Sequence, residues 1–391
     1  MTTTEIEPGA ASRPQWAAFV AVCAAYLSTT IGEAILAPAF PMAADELGLD
    51  VADAGLLFGL LTGAIAVGNI AGGYLLARRG PKPAILLALG VAGGGSLLAA
   101  VSSSVVPFVA AQAMLGGGAG LFFAPGINAV GKLGGARRGY VMGLFGTAFS
   151  LGLAAAAVLA ALGARVGWRL PFAAGAVTSA VAIVAVAVAA LPPRREGPDG
   201  GRRKRLRDAV GVAAGVGSVG AMTQYGTVAF LPAFAVTAWH MHPGTAALVL
   251  AAARVLSVPA KMLTGGWADR YGAMGTARRL GFLLAATGAW WTLAPGPWLG
   301  AWAAVVFAAA VSSVFPVANL LAYEGFGDRG PLLGTFRSVQ MAVGAAGGAA
   351  IGGASAVVGL RPTLALVAVV VPLALVLLDH RTRDEAPACG T

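Results

Sequence analysis

Residues 265–272 read Gly-Gly-Trp-Ala-Asp-Arg-Tyr-Gly, and residues 73–80 read Gly-Tyr-Leu-Leu-Ala-Arg-Arg-Gly. Each octet opens and closes on glycine, carries Arg at its sixth position and follows a long apolar run. The two lie 192 residues apart. A short polar turn between apolar runs joins consecutive helices, and its recurrence at long range is the mark of a duplicated chain. Other pairs keep the same interval within one residue: Pro125-x-x-Asn128 with Pro316-x-x-Asn319, Gly143 with Gly334, and Gly167-Trp168-Arg169 with Gly359-Leu360-Arg361. One residue of drift along most of a half points to two homologous halves.

Composition says where those halves reside. Of the 391 residues, 58% are hydrophobic and only 11% charged, with a mean hydropathy of +0.80. Soluble domains carry about 25% charged residues, so most of this chain faces lipid or other apolar helices. The 57 glycines suit helices that pack backbone to backbone in a membrane. Apolar stretches of about 20 residues predict twelve spans: 16–41, 51–77, 83–102, 105–131, 139–164, 170–192, 209–237, 244–268, 278–296, 297–323, 332–358 and 362–379. The expected fold is an all-α polytopic membrane protein of two pseudo-symmetric six-helix bundles. These are residues 1–192 and 209–391, joined by the basic, Pro- and Gly-rich linker 193–208. The polar N-terminus precedes a run too long for a signal-peptide core, so no cleaved leader is expected. Cys23 and Cys389 form no framework, and the sequence presents no metal-ligand cluster or cofactor motif.

Lys and Arg set the orientation. With both termini in the cytoplasm, only Arg165, Arg169 and Arg361 fall in loops on the opposite side, while Arg254, Lys261 and Arg337 fall inside spans. The other cations line the cytoplasmic edge of an inner (plasma) membrane, where they set topology and meet anionic lipid. The net charge of +10 is thereby accounted for without nucleic acid.

The octet at Gly265, Asp269, Arg270 and Gly272, with its echo at Gly73, Arg78 and Gly80, resembles the signature loop of the major facilitator superfamily. Gly143 to Gly152 and Trp168-Arg169-Leu170-Pro171-Phe172 resemble that superfamily's fifth helix and the start of its sixth. The resemblance covers essentially the whole chain. It implies a transporter working by rocker-switch alternating access around a site near the midplane. Two departures stand out: Ala77 occupies the place of an Asp in the first octet, and Gln112 that of an Arg in the fourth span. In the superfamily those positions share one charge network at the cytoplasmic gate, so losing both together strands no charge. Asp269 remains and is expected to reach the fifth helix.

The embedded charges point to the cargo. A cation at the bilayer centre costs about 2.5–3.5 kcal/mol on insertion scales, yet one span carries both Arg254 and Lys261. Their seven-residue spacing puts them on one helix face, about 10 Å apart along the axis. One deep carboxylate, Glu33, faces them. The excess of positive charge favours a small anion, an organic carboxylate before an inorganic one. Arg254 is expected to clamp it, since a guanidinium suits bidentate carboxylate recognition, or else to brace Glu33. Lys261 matches the position at which carboxylate-transporting branches of the superfamily often carry a substrate-binding Arg; its alternative role is in the gate. Glu33 is a candidate proton carrier, or one partner of a permanent ion pair. Arg337, at the start of the eleventh span, is expected to reach the cytoplasmic interface as part of the gate. Tyr26, Asn69, Gln224, Tyr225, Asn319 and Gln340 are expected to line the site or to bond between helices. Trp290, Trp291, Trp298 and Trp302 read as an interfacial belt. The expected protein is a proton-coupled monomeric symporter of an anion. A proton-coupled exporter of hydrophobic compounds is the alternative, and a membrane receptor or enzyme the remote one.

Overall fold

The computed structural model describes residues 13–49, 51–193, 203–294, 296–327 and 329–378; most of the basic linker lies outside them, as does Cys389. These residues are helical almost throughout, with no strand among them. The first half holds α1 (Arg13–Ala34), α2 (Leu36–Leu47), α3 (Val51–Arg79), α4 (Pro81–Val101), α5 (Val105–Leu133), α6 (Arg138–Val166) and α7 (Arg169–Val188). The second holds α8 (Arg203–Gly226), α9 (Leu231–Trp239), α10 (Pro243–Tyr271), α11 (Ala273–Leu293), α12 (Pro297–Phe326), α13 (Gly330–Val358) and α14 (Leu360–Leu377). In lipid every backbone polar group needs an internal partner, and an apolar run has only the helix to supply it. Eleven segments are long and apolar enough to cross a membrane. α11 is the twelfth long helix. It carries Arg278 and Arg279 in its opening turns and packs on α12 and α14.

The two octets end their helices in the same way. Gly80 and Gly272 have φ of 81° and 75° and cap the N-termini of α4 and α11. With ψ of 177° and 157° they occupy a region open essentially to glycine, which costs other residues about 1–3 kcal/mol, so the closing glycine of the motif is a steric requirement. The first span of each half is also interrupted at equivalent points, after Ala34 and after Gly226, 192 residues apart. Pro38 and Pro232 follow the two interruptions; each lacks an N–H for the preceding turn and favours a bend there.

The halves meet along two seams, α6 against α10 and α3 against α13. On the first, a Cβ added to Gly139 would collide with the Gly265 carbonyl oxygen, and one on Gly143 with that of Lys261. On the second, a Cβ on Gly330 would strike the Gly73 carbonyl oxygen, and one on Gly334 that of Asn69. These four contacts are two contacts, each made twice, because 139 pairs with 330, 143 with 334, 73 with 265 and 69 with 261 at the repeat interval. Small residues let the helix backbones approach closely enough for dispersion to hold the seams without a hydrophobic drive.

The opposite end repeats a polar clamp. Arg169 donates to the Ser102 carbonyl at 2.9 Å, and Arg361 donates to those of Thr292 at 3.0 Å and Ala294 at 3.4 Å. Among the described residues only the first-half clamp has an acid: Arg169 lies 2.8 Å from Glu46, whose carboxylate also accepts from the Trp168 indole at 2.7 Å. Hydrogen bonds from Arg169 and Trp168 hold the Glu46 carboxyl below its usual pKa. The tryptophan belt needs a correction. Trp290, Trp298 and Trp302 are exposed, but Trp291 is fully buried against Phe234, Trp239 and Phe307, because it faces inward from α11.

Candidate functional site

Between the seams lies a cavity of about 410 Å³, walled by residues of α1, α3, α5 and α6 from the first half and of α8, α10, α12 and α13 from the second. That volume lies in the range of small-ligand sites. Four charged residues line it: Glu33 from α1, Arg254 and Lys261 from α10, and Arg337 from α13.

Each cation is held differently. Lys261 is buried, and its ammonium crosses the α6–α10 seam to the Gly146 carbonyl at 3.0 Å and the Ser150 hydroxyl at 2.7 Å. Ser150 in turn lies 3.1 Å from the Ser257 hydroxyl on α10. Two turns further along α10, inside the octet, Asp269 accepts from the backbone N–H groups of Gly139 at 2.6 Å and Tyr140 at 2.8 Å. A carboxylate there satisfies two orphan donors at the N-terminus of α6 and meets its dipole favourably. Asp269 thus reaches the fifth long helix of the first half, where sequence placed it.

Arg254 makes no side-chain hydrogen bond or ion pair among the described residues, and it shares the cavity wall with Lys261 of its own helix. Arg337 corrects an expectation. It does not reach the interface but lines the cavity, with its guanidinium 4.7 Å from the Phe123 ring centroid and 5.9 Å from that of Phe315. It donates to Gln340 Oε1 at 3.3 Å. α13 starts at Gly330, so Arg337 sits two turns in, too deep for its side chain to escape past the seam. Glu33 lines the same cavity from α1, and the Arg337 charge acts on it.

Of the neutral candidates, Tyr26, Gln224, Tyr225 and Asn319 line the cavity. Tyr26 stacks on Phe145 at 4.4 Å and on Phe122 at 5.3 Å, and Gln224 accepts from Ser312 at 3.3 Å. Asn69 and Gln340 do not line it. Asn69 is wholly buried in the α3–α13 seam with its amide N–H 3.7 Å from the Met341 sulfur, and Gln340 packs against Gly217 of α8. Asn69 takes the second of its two expected roles, a bond between helices, while Gln340 bonds only within its own helix and corrects the expectation; both outcomes turn on helix rotation, which apolar patterning fixes poorly when all faces are apolar. Of the octet residues, Gly73 and Gly265 build the seams and Arg78 is exposed; Arg270 stands over Tyr271 at 5.4 Å. Gln112 is fully buried on α5, with neither amide atom bonded.

Sequence reasoning missed the aromatic shell of Phe123, Phe149 and Phe315 and the acceptor pair Gly146 and Ser150. An aromatic inside an apolar run carries no polar signal. Gly146 did have one: at the repeat interval it is the counterpart of Arg337.

The model of the Major Facilitator Superfamily matches residues 22–348 of the chain. The chain belongs to the major facilitator superfamily. It is a multi-pass membrane transporter and not an enzyme. No curated protein matches it in sequence. Among solved structures it resembles a variant of the E. coli fucose:proton symporter FucP, with a TM-score of 0.76 at 17% identity over 96% of this chain and all of that one. FucP in its outward conformation is similar at a TM-score of 0.77, with the same identity and coverage. The human organic anion transporter MFSD10 (TETRAN) is similar at 0.74 and 17% identity, over 94% of this chain and all of that one. At such identity these likenesses speak for the fold.

Proposed function

We propose that this superfamily member is a proton-coupled symporter of a small organic anion. The carrying observation is the charge of the cavity, three cations against one carboxylate. That excess attracts an anion and repels a cation. Arg254 clamps the substrate, since its donors have no other partner among the described residues. Lys261 assists from the cavity floor, and Glu33 carries the proton opposite Arg337. The organic anion transporter and the proton symporter among the structural neighbours are consistent with such cargo and coupling.

The proposed motion rocks residues 1–192 against 209–391 as a monomer in the inner membrane, with both termini cytoplasmic. The two glycine seams, the Asp269 cap and the Lys261 bonds are the contacts to be broken when the basic end opens. Purified protein in liposomes is expected to accumulate a carboxylate down an inward proton gradient, with uptake abolished by Arg254→Ala. Undiminished uptake in that variant overturns the assignment.

The aromatic share of the lining supports a second reading, export of hydrophobic compounds with Glu33 as the acidic determinant. Resistance to lipophilic cations on expression, lost in Glu33→Gln, would favour it.

A further inference from the structure

The arrangement of charge in the cavity carries a narrower conclusion, which rests on the anion reading above. Arg254 and Lys261 project from α10, on the α6–α10 seam, whereas Arg337 arrives from α13, on the other seam. Arg254 has no side-chain partner among the described residues. Arg337 has rings at Phe123 and Phe315 and one acceptor, Gln340, at 3.3 Å. A guanidinium held against aromatic rings keeps its edge for a carboxylate, which that edge meets with two parallel donors. The lining therefore offers two anion-binding positions on different helices, in a cavity that Tyr26, Phe149 and Tyr225 also line.

The charge count decides how many anionic groups should fill them. With Glu33 ionised, three cations and one carboxylate leave an excess of two positive charges among the lining residues. Uncompensated charge away from water is costly. One monoanion leaves one positive charge in excess with Glu33 ionised and two once it takes the proton; a dianion leaves none and one respectively. We propose that the substrate is a dicarboxylate, one carboxylate on Arg254 beside Lys261 and the other on the edge of Arg337, with a short apolar spacer against the aromatic wall.

The test uses the full-length protein in detergent. Saturated dicarboxylates from oxalate to adipate are compared with monocarboxylates of matching length, with sulfate as a compact dianion and tetraphenylphosphonium as a lipophilic cation. A ligand that binds the folded state raises the melting temperature, and titration gives its affinity. The best dicarboxylate is expected to bind at least about tenfold more tightly than its monocarboxylate counterpart, the effect of one further charge-assisted contact. Arg337→Gln is expected to erase that preference while monocarboxylate binding persists. Arg337→Lys, which keeps the charge without the fork, is expected to give an intermediate ratio. Should Arg337→Gln not fold, the wild-type ratio decides alone. Equal affinity for the two carboxylate series, or sulfate binding tightest, overturns the dicarboxylate and leaves the anion reading intact. A shift with tetraphenylphosphonium and none with any anion overturns both.

Discussion

Asn69 and Lys261 hold equivalent places in the two halves, and each lies under the seam glycine of the facing helix, Gly334 or Gly143. The backbone contact is the same. The side chains are not: Asn69 offers its amide to a methionine sulfur at 3.7 Å, while Lys261 is a cation bonded to a carbonyl and a hydroxyl. The divergence repeats around the cavity. Arg254 stands opposite Thr62, Arg337 opposite Gly146, and Glu33 opposite Tyr225, and all six line the wall. Duplication thus supplied the scaffold, seam for seam and cap for cap, and chemistry entered where the copies parted. In all three of those pairs with a cation, the cation is in the second half and its first-half counterpart is neutral.

The comparison can be broken most severely at the seams. Gly139→Val and Gly330→Val each drive a side chain into a facing backbone carbonyl, where overpacking costs about 1–3 kcal/mol. Transport is expected to fall to background in both variants, and by similar amounts, measured as uptake into liposomes at matched protein content. A loss confined to one of them would show that the seams are not equivalent.

Unequal halves make a second, opposite-signed prediction. Lys261 and Arg254 form no ion pair among the described residues, so in the empty protein they cost more than they contribute. Lys261→Met is expected to raise the melting temperature without substrate, because a buried cation with no carboxylate partner is removed, while weakening stabilisation by a bound carboxylate. Asn69→Met should leave both nearly unchanged. A destabilised Lys261→Met would instead mark the Gly146 and Ser150 bonds as the main role of that ammonium.

The smallest effect belongs to the clamps. The Glu46 carboxyl titrates lower in the folded chain than in the unfolded one, so its contribution is fully present above the unfolded value, about 4.3, and fades as pH falls through the folded value. Glu46→Gln is expected to flatten the acid limb of thermal stability slightly and to leave neutral pH almost unaffected. Arg361→Gln, whose clamp has no acid in its described contacts, should leave that limb as it is.

Much of the fold was legible because its causes are local or periodic: apolar runs of membrane length, glycine where a left-handed turn or a close approach demands it, and motifs repeated at one interval. The capping role of Asp269 was legible for the same reason. What escaped was rotation about helix axes. A span that is apolar on every face does not say which way Asn69, Gln340 or Arg337 points. Two of these turned into packed contacts and one turned into the cavity. That Glu33 and Arg337 line one cavity depends on how α1 and α13 are placed, which no spacing within either helix encodes.

The central claim is that anion transport resides in what the second half acquired. Its most direct test restores symmetry at one pair: Arg254→Thr gives the second half the residue that Thr62 gives the first, and Thr62→Ala serves as the matched control. In proteoliposomes with an inward proton gradient, Arg254→Thr is expected to abolish carboxylate uptake while remaining folded, and Thr62→Ala to retain most of it. Equal uptake in the two variants would contradict the account.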